Sequence, residues 1–271
     1  AAEQDRGALG IALSGALSRS EQPALVDRVQ QSLASAPNSA RDSLLEGLGR
    51  MRIAKAGEAL ENLVSKGNID DRRKIAEALA GHPERPAALL KLAQDADAGV
   101  RANAVWSLGP IFAKDAVPML IGLLRDHDTA VSGNAAASLG RIAEKHSDPG
   151  AVRQALCGAL SDARAYVRAN AITAMSIAGI QCDSVSVHDL LARDPSESVR
   201  LAAADYLGRA IARAGEKADP ADKRSLLRCM GEDKNASVAE RCAHPKLPPP
   251  AKDDLSVFVL AEQGSAPIAR A

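Results

Sequence analysis

The chain has 271 residues, 46% of them apolar, yet only two Phe, two Tyr and one Trp. Lys plus Arg and Asp plus Glu number 34 each, so the formal net charge is zero and there is no overall basic surplus to displace counterions from duplex nucleic acid. No uncharged apolar run approaches the ~20 residues of a membrane-spanning helix, and an apolar fraction dominated by Ala and Leu favours helix over most of the length.

In chain order, Ala1 is followed by Asp5-Arg6 and then by GALGIALSGALS (7–18). A first residue other than Met fits either signal removal or a fragment boundary. The apolar stretch is too short to span a bilayer and falls in phase with a repeated decamer, so it reads as a core helix. The decamer DRGALGIALS (5–14) returns as ARDSLLEGLG (40–49), DRRKIAEALA (71–80), VRANAVWSLG (100–109), VSGNAAASLG (131–140), VRANAITAMS (167–176) and VRLAAADYLG (199–208). A degenerate copy, VAERCAHP, starts at Val238. The first positions lie 29 to 39 residues apart, the period of stacked helical hairpins.

An aspartate stands five residues before this anchor in five consecutive copies: Asp95, Asp126, Asp162, Asp194 and Asp233. Before each lies another amphipathic stretch, such as PAALLKLAQD, AVPMLIGLLRD and VRQALCGALSD. Each unit is therefore a helix A, a short acidic turn and a helix B. In helix B, Val100, Ala104 and Leu108 fall on one apolar stripe. Such a hairpin cannot bury its faces alone, so neighbours must stack.

The stretch DAVPMLIGLLRDHDTAVSGNAAASLGRIA (115–143), with a proline in helix A, an acidic turn and Val-x-x-x-Ala-x-x-x-Leu-Gly in helix B, resembles the HEAT-like repeats of the PBS-lyase type. The resemblance covers roughly residues 1–243 and is strongest over 85–210. It implies an all-α fold, a right-handed, curved α-solenoid of about seven helical hairpins with the B helices lining one surface. One such scaffold hosts many roles, so the resemblance does not fix a function.

The recurrent polar residues have a structural reading. Arg101, Arg168 and Arg200 follow the anchor valine, and Arg6, Arg41 and Arg72 hold the same place earlier. Each is expected to meet turn aspartates of its own or a neighbouring unit, an exposed pair being worth less than about 1 kcal/mol. Asn103, Asn134 and Asn170 share one helix-B position beside the buried stripe and are expected to hydrogen-bond the preceding unit's turn. Trp106 lies at the stripe's edge, either filling core or contacting a partner; it is the best single contact candidate.

Catalytic and metal-binding constellations are not legible. HEAT-like proteins include a di-iron hydroxylase of deoxyhypusine whose B helix carries His-Glu after Val-Arg. Here those places are Ala102-Asn103, Gly133-Asn134, Ala169-Asn170 and Leu201-Ala202. The five histidines, His82, His127, His146, His188 and His244, share no repeat position. Asp95/Asp97 and Asp126/Asp128 form Asp-x-Asp pairs, read as turn formers and helix N-caps rather than a cation site. No phosphate-cradling glycine loop and no Cys-x-x-Cys pair occur. No cofactor and no metal are expected.

Residues 244–254 form a proline-rich linker, and 255–271, with LSVFVL, read as an extended or β-strand tail or as the opening of a truncated β-sandwich. Cys229 in a helix A can face Cys242 in the following helix B; Cys157 and Cys182, placed in consecutive A helices, can also meet. Two such pairs tilt the compartment toward an oxidising one, periplasmic or extracellular. The sequence thus describes a non-catalytic scaffold for a protein partner in a bacterial envelope or surface assembly. The alternatives are a nucleic-acid-binding repeat protein and a bilin-lyase-like repeat enzyme.

Overall fold

A strong helix former with a polar cap every 30 to 40 residues breaks into short helices, and that is the architecture observed. The computed structural model describes residues 15–17, 22–145, 150–182 and 186–245. The first repeat copy (5–14), His146 and the tail beyond residue 245 lie outside the described residues. Among those described, all regular structure is helical.

The helices group into two compact units, Ala1–Met119 and Leu120–Ala271, where the sequence suggests one solenoid over 1–243. The first contains α1 (Pro23–Leu33), α2 (Asn38–Arg50), α3 (Ala54–Leu63), α4 (Ile69–Ala78), α5 (Pro86–Leu92) and α6 (Ala98–Leu108). The unit boundary falls inside α7 (Val117–Leu123). The second unit continues with α8 (Thr129–Lys145), α9 (Gly150–Ala159), α10 (Ala165–Ala178) and α11 (Val187–Arg193). It ends with α12 (Glu197–Ala214), α13 (Pro220–Glu232) and α14 (Ala236–Ala243). Odd-numbered helices are A and even-numbered ones are B, giving seven hairpins among the described residues.

Each anchor is the third residue of its B helix: Ala40, Asp71, Val100, Val131, Val167, Val199 and Val238. The five valines are completely buried. Helix starts are fixed by short polar side chains: Asp97 caps the Val100 amide (2.9 Å), Asp128 the Val131 amide (3.0 Å), and Asn235 the Val238 amide (3.1 Å). Asn68 and Asp71 form a reciprocal capping box at α4.

Within each unit, a B helix packs on the next B helix: α2 on α4 and α4 on α6, then α8 on α10, α10 on α12 and α12 on α14. A packs on B in the hairpins α1/α2, α3/α4, α5/α6, α9/α10, α11/α12 and α13/α14. This neighbour-only stacking is that of an α-solenoid. The stripe Val100, Ala104 and Leu108 is buried completely, as are Val131, Ala135 and Leu139 at the matching places of α8.

Candidate functional site

The repeated polar residues converge along the acidic turns. Because the anchor is the third helical residue, the next side chain points back over its own turn. Arg168 Nη1 donates to the carbonyls of Asp162 (2.8 Å) and Ala163 (3.0 Å), while Nε and Nη2 fork onto the Asp194 carboxylate, both at 2.8 Å. Arg200 repeats this with the Asp194 carbonyl (2.9 Å) and the Asp233 carboxylate (2.8 and 3.3 Å). Arg72 takes the Gly67 carbonyl (3.1 Å) and the Asp95 carboxylate (2.7 and 3.1 Å). Arg41 takes the Leu33 carbonyl and Asp71, itself an anchor (2.8 and 2.6 Å). Arg101 Nη1 donates to the carbonyls of Asp95 (2.9 Å) and Ala96 (3.0 Å).

Each aspartate does a second job. Asp95, Asp126, Asp162, Asp194 and Asp233 all accept the amide N–H two residues on, at 2.8 to 2.9 Å, closing the turn. The Asp-x-Asp pairs are thereby accounted for: the first carboxylate closes the turn and the second caps helix B. The forks also move the titrations. Hydrogen bonding to Arg41 holds Asp71 below the usual carboxylate range, and Arg72 and Arg73 do the same for Asp95 and Asp97. At Asp233 burial opposes the shift, but Arg200 and the Asn235 amide carry it down.

These pairs are not the exposed ones expected from sequence. Arg168 and Asp194 keep 11% and 4% of their side-chain surface, so each fork is bidentate and largely withdrawn from water.

Two units lack this arginine: the residue after Val238 is Ala239, and the residue after Val131 is Ser132, whose hydroxyl donates within its own turn. Arg164, from the following turn, reaches back instead. Its Nη1 donates to the Asp126 carbonyl (2.7 Å) and its Nη2 to the Leu124 carbonyl (3.3 Å). Nε and Nη2 chelate Asp162, both at 2.9 Å. The same carbonyl-plus-carboxylate geometry is thus supplied from a different place in the sequence.

The three asparagines share a register but bond in three different ways. Asn103 Nδ2 donates to Glu77 Oε1 (2.9 Å) and to the Arg73 carbonyl (3.3 Å), reaching the preceding B helix rather than the preceding turn. Asn134 Oδ1 accepts from the Tyr166 hydroxyl of the next unit (3.5 Å). Asn170 turns onto its own helix and donates to the Tyr166 carbonyl (2.9 Å). Trp106 is half-buried on α6; beyond that helix Phe112 is 38% exposed and holds a left-handed backbone (φ 52°).

The cysteines form two disulfides, Cys157–Cys182 and Cys229–Cys242, with Cα atoms 5.6 and 6.0 Å apart. Cys229 and Cys242 face each other across the α13/α14 hairpin. Cys182, expected in an A helix, instead lies in the non-helical stretch after α10, which Gly179 ends in the left-handed region (φ 68°).

Three features are not legible in the sequence. Glycine in the decamer's tenth place lets B helices touch: a Cβ on Gly140 would come within 2.5 Å of the Ala174 backbone, and one on Gly49 within 2.7 Å of Ala78. His188 bridges α11 to α13, with Nδ1 2.8 Å from Ser225 Oγ and Nε2 3.2 Å from Asp222. These are the residue types of an acyl-transfer relay, but Ser225 lies inside α13, where the backbone amides are spent on the helix and offer an oxyanion no donors. The triple therefore serves as a tie between helices. The third feature is a buried arginine at 209, one place beyond the end of its decamer.

Residues 86–176 match the family model for HEAT repeats. Among solved structures, the protein YibA of Escherichia coli is similar at 17% identity and a TM-score of 0.53, over 80% of this chain and 79% of that one. An engineered protein matches at 17% identity and a TM-score of 0.48, over 80% of this chain and 66% of that one. Human deoxyhypusine hydroxylase, solved in complex with glycerol, gives 18% identity and a TM-score of 0.35 over 89% and 94% of the two chains. No curated protein matches the sequence. The expected HEAT-like α-solenoid is borne out by the family match and by the YibA fold.

Proposed function

We propose that this chain of HEAT-like repeats is a non-catalytic scaffold that presents its surface to a protein partner, in an oxidising compartment such as a bacterial envelope. The observation that carries the reading is the fate of the repeated polar residues. Most of the recurring arginines and aspartates are spent on closing turns and on joining one layer to the next, so recognition of a partner falls to residues that differ between units. Trp106 and Phe112 are the contact candidates. Large aromatics are over-represented in binding hot spots, and a strained non-glycine backbone such as that of Phe112 is concentrated at functional positions. The two disulfides support the compartment, since cross-links of this kind persist where thiols are not kept reduced.

The test is site-specific photo-crosslinking in the cell of origin. A photoreactive residue at Trp106 is expected to give one discrete protein adduct, and one at exposed Lys223 on α13 to give none. Absence of an adduct at Trp106, or substrate turnover by the purified protein that a point substitution abolishes, overturns the scaffold reading. Alkylation of the native protein without reductant, followed by mass spectrometry, reads the compartment: four blocked thiols sink that part of the proposal alone.

A further inference from the structure

Arginines near the ends of B helices ordinarily have a visible partner. Arg213, in the last turn of α12, donates to the Ile177 carbonyl at the end of α10 (3.0 Å). Arg209, one turn earlier, does not. It is the one buried arginine among the described residues, 5% exposed, and its Nε is enclosed with no acceptor. The Nη nitrogens likewise have no acceptor among the described residues but are not fully enclosed, so the guanidinium edge can be reached from outside. Packing does not demand a cation at this repeat place: the matching residue of α10 is Ile177, whereas that of α8 is Arg141. A charge withdrawn from water without a counter-ion is among the costlier features a fold can hold.

The surroundings define what would complete it. Burial disfavours the charged form of Arg209, and Arg213 adds like charge. Asp205 pulls the other way but is already spent on Arg241 (2.7 Å), leaving Glu144 of α8 as the remaining acidic influence. Ser176, on the intervening α10, holds a second enclosed polar atom without a partner, its Oγ. Arg141, on α8 one turn before its end, adds a further guanidinium whose charged form burial disfavours.

We propose that Arg209 anchors a carboxylate-binding site at the C-terminal ends of α8, α10 and α12, taking an acidic side chain of the protein partner. A guanidinium edge matches a planar carboxylate in a bidentate fork. The nearby Glu144 charge sets the balance toward a monoanion and against a phosphate dianion. The inference deepens the scaffold reading and depends on it only for the source of the carboxylate.

The full-length oxidised protein, labelled with nitrogen-15, is titrated with propionate, with neutral propionamide and with inorganic phosphate, following the Arg209 Nε–H resonance. Propionate is expected to shift it saturably, propionamide not at all, and phosphate more weakly than propionate. Arg209→Gln is expected to keep the fold, with a melting temperature equal to or above that of the parent, and to weaken the propionate response of the α12 amides at least tenfold. No saturable shift with propionate, a stronger response to phosphate, an unchanged response in Arg209→Gln, or loss of folding in that variant each overturns the site. A positive titration with no adduct from the Trp106 probe leaves this site standing and removes the partner; the opposite pair of results removes the site alone.

Discussion

Arg168 is both a hydrogen-bond clamp on its own turn and half of a fork to the next, so its deletion has two consequences. The Asp162 and Ala163 carbonyls lose a donor, and Asp194, with 4% of its side chain exposed, loses its counter-ion. Removing one partner of a buried pair leaves the other charge uncompensated. Arg168→Ala is therefore expected to cost about 3 kcal/mol in urea unfolding. Arg193 offers the contrast: its pair with Asp189 is 81% and 65% exposed, and Arg193→Ala should change stability by less than about 0.5 kcal/mol. A similar cost in both variants would mean that position in the ladder is irrelevant. Arg164 provides a sharper test at the same scale, because it does the work of an arginine missing at 132. Arg164→Ala is expected to destabilise by about 2–3 kcal/mol. Adding Ser132→Arg in that background should restore at least half of the loss, by returning the guanidinium to its usual repeat position. No recovery would show that the two routes to Asp162 and the Asp126 carbonyl are not equivalent.

At the scale of the helix, close approach of successive B helices depends on a side chain that is not there. A methyl at residue 140 meets the Ala174 Cα and Cβ at 2.5 Å and its carbonyl at 2.8 Å, all of them parts that cannot swing away. Gly140→Ala is expected to push α8 and α10 apart at a cost of about 1–3 kcal/mol. Gly158 in α9 has nothing within 4 Å of an added Cβ, so Gly158→Ala should stabilise by about 0.5–1 kcal/mol through helix propensity alone. Thermal melts of the two variants should move in opposite directions. The helices themselves are legible in the sequence because one decamer carries both the cap spacing and the apolar stripe; every anchor from Ala40 to Val238 falls on the same helical turn. What is not legible depends on exceptions to the pattern. Cys182 reads as helical because its surroundings are apolar, whereas Gly179 ends α10 and leaves it in an irregular segment. The asparagines look equivalent because their neighbours are, yet the ring of Tyr166, packed where Gly133 lacks a side chain, brings its hydroxyl to Asn134, while Asn170 turns back to the Tyr166 backbone carbonyl. The role of Arg164 is invisible because nothing in the repeat pattern links residue 164 to a gap at 132.

For the molecule as a whole, the ladder ties stability to proton uptake, and the sign can be worked out. Hydrogen bonds from arginine hold Asp71, Asp95, Asp97 and Asp162 below the ordinary carboxylate range, and Asp233 is also lowered, against burial. An aspartate in the unfolded chain titrates near 3.9. Above that value these five groups are ionised in both states and contribute their full stabilisation. As pH falls below about 4, the unfolded chain binds protons first, and the stabilisation drains away through the lower folded-state values. Two carboxyls act oppositely: burial raises Asp42 and Asp222, so they favour the folded state below the unfolded value and lose that contribution as pH rises through their folded values. Five lowered groups outnumber the two raised ones, and the lowered ones carry direct arginine forks. The melting temperature is therefore expected to be nearly level from pH 7 to about 5 and to fall steeply below about 4, with a slope of more than one proton. Because the ladder pairs are largely withdrawn from solvent, adding 1 M salt at pH 7 should lower the melting temperature little, since screening acts mainly on exposed charges. A profile that stays flat to pH 2, or a collapse in salt at neutral pH, would show that the repeated aspartates close their turns without holding the layers together.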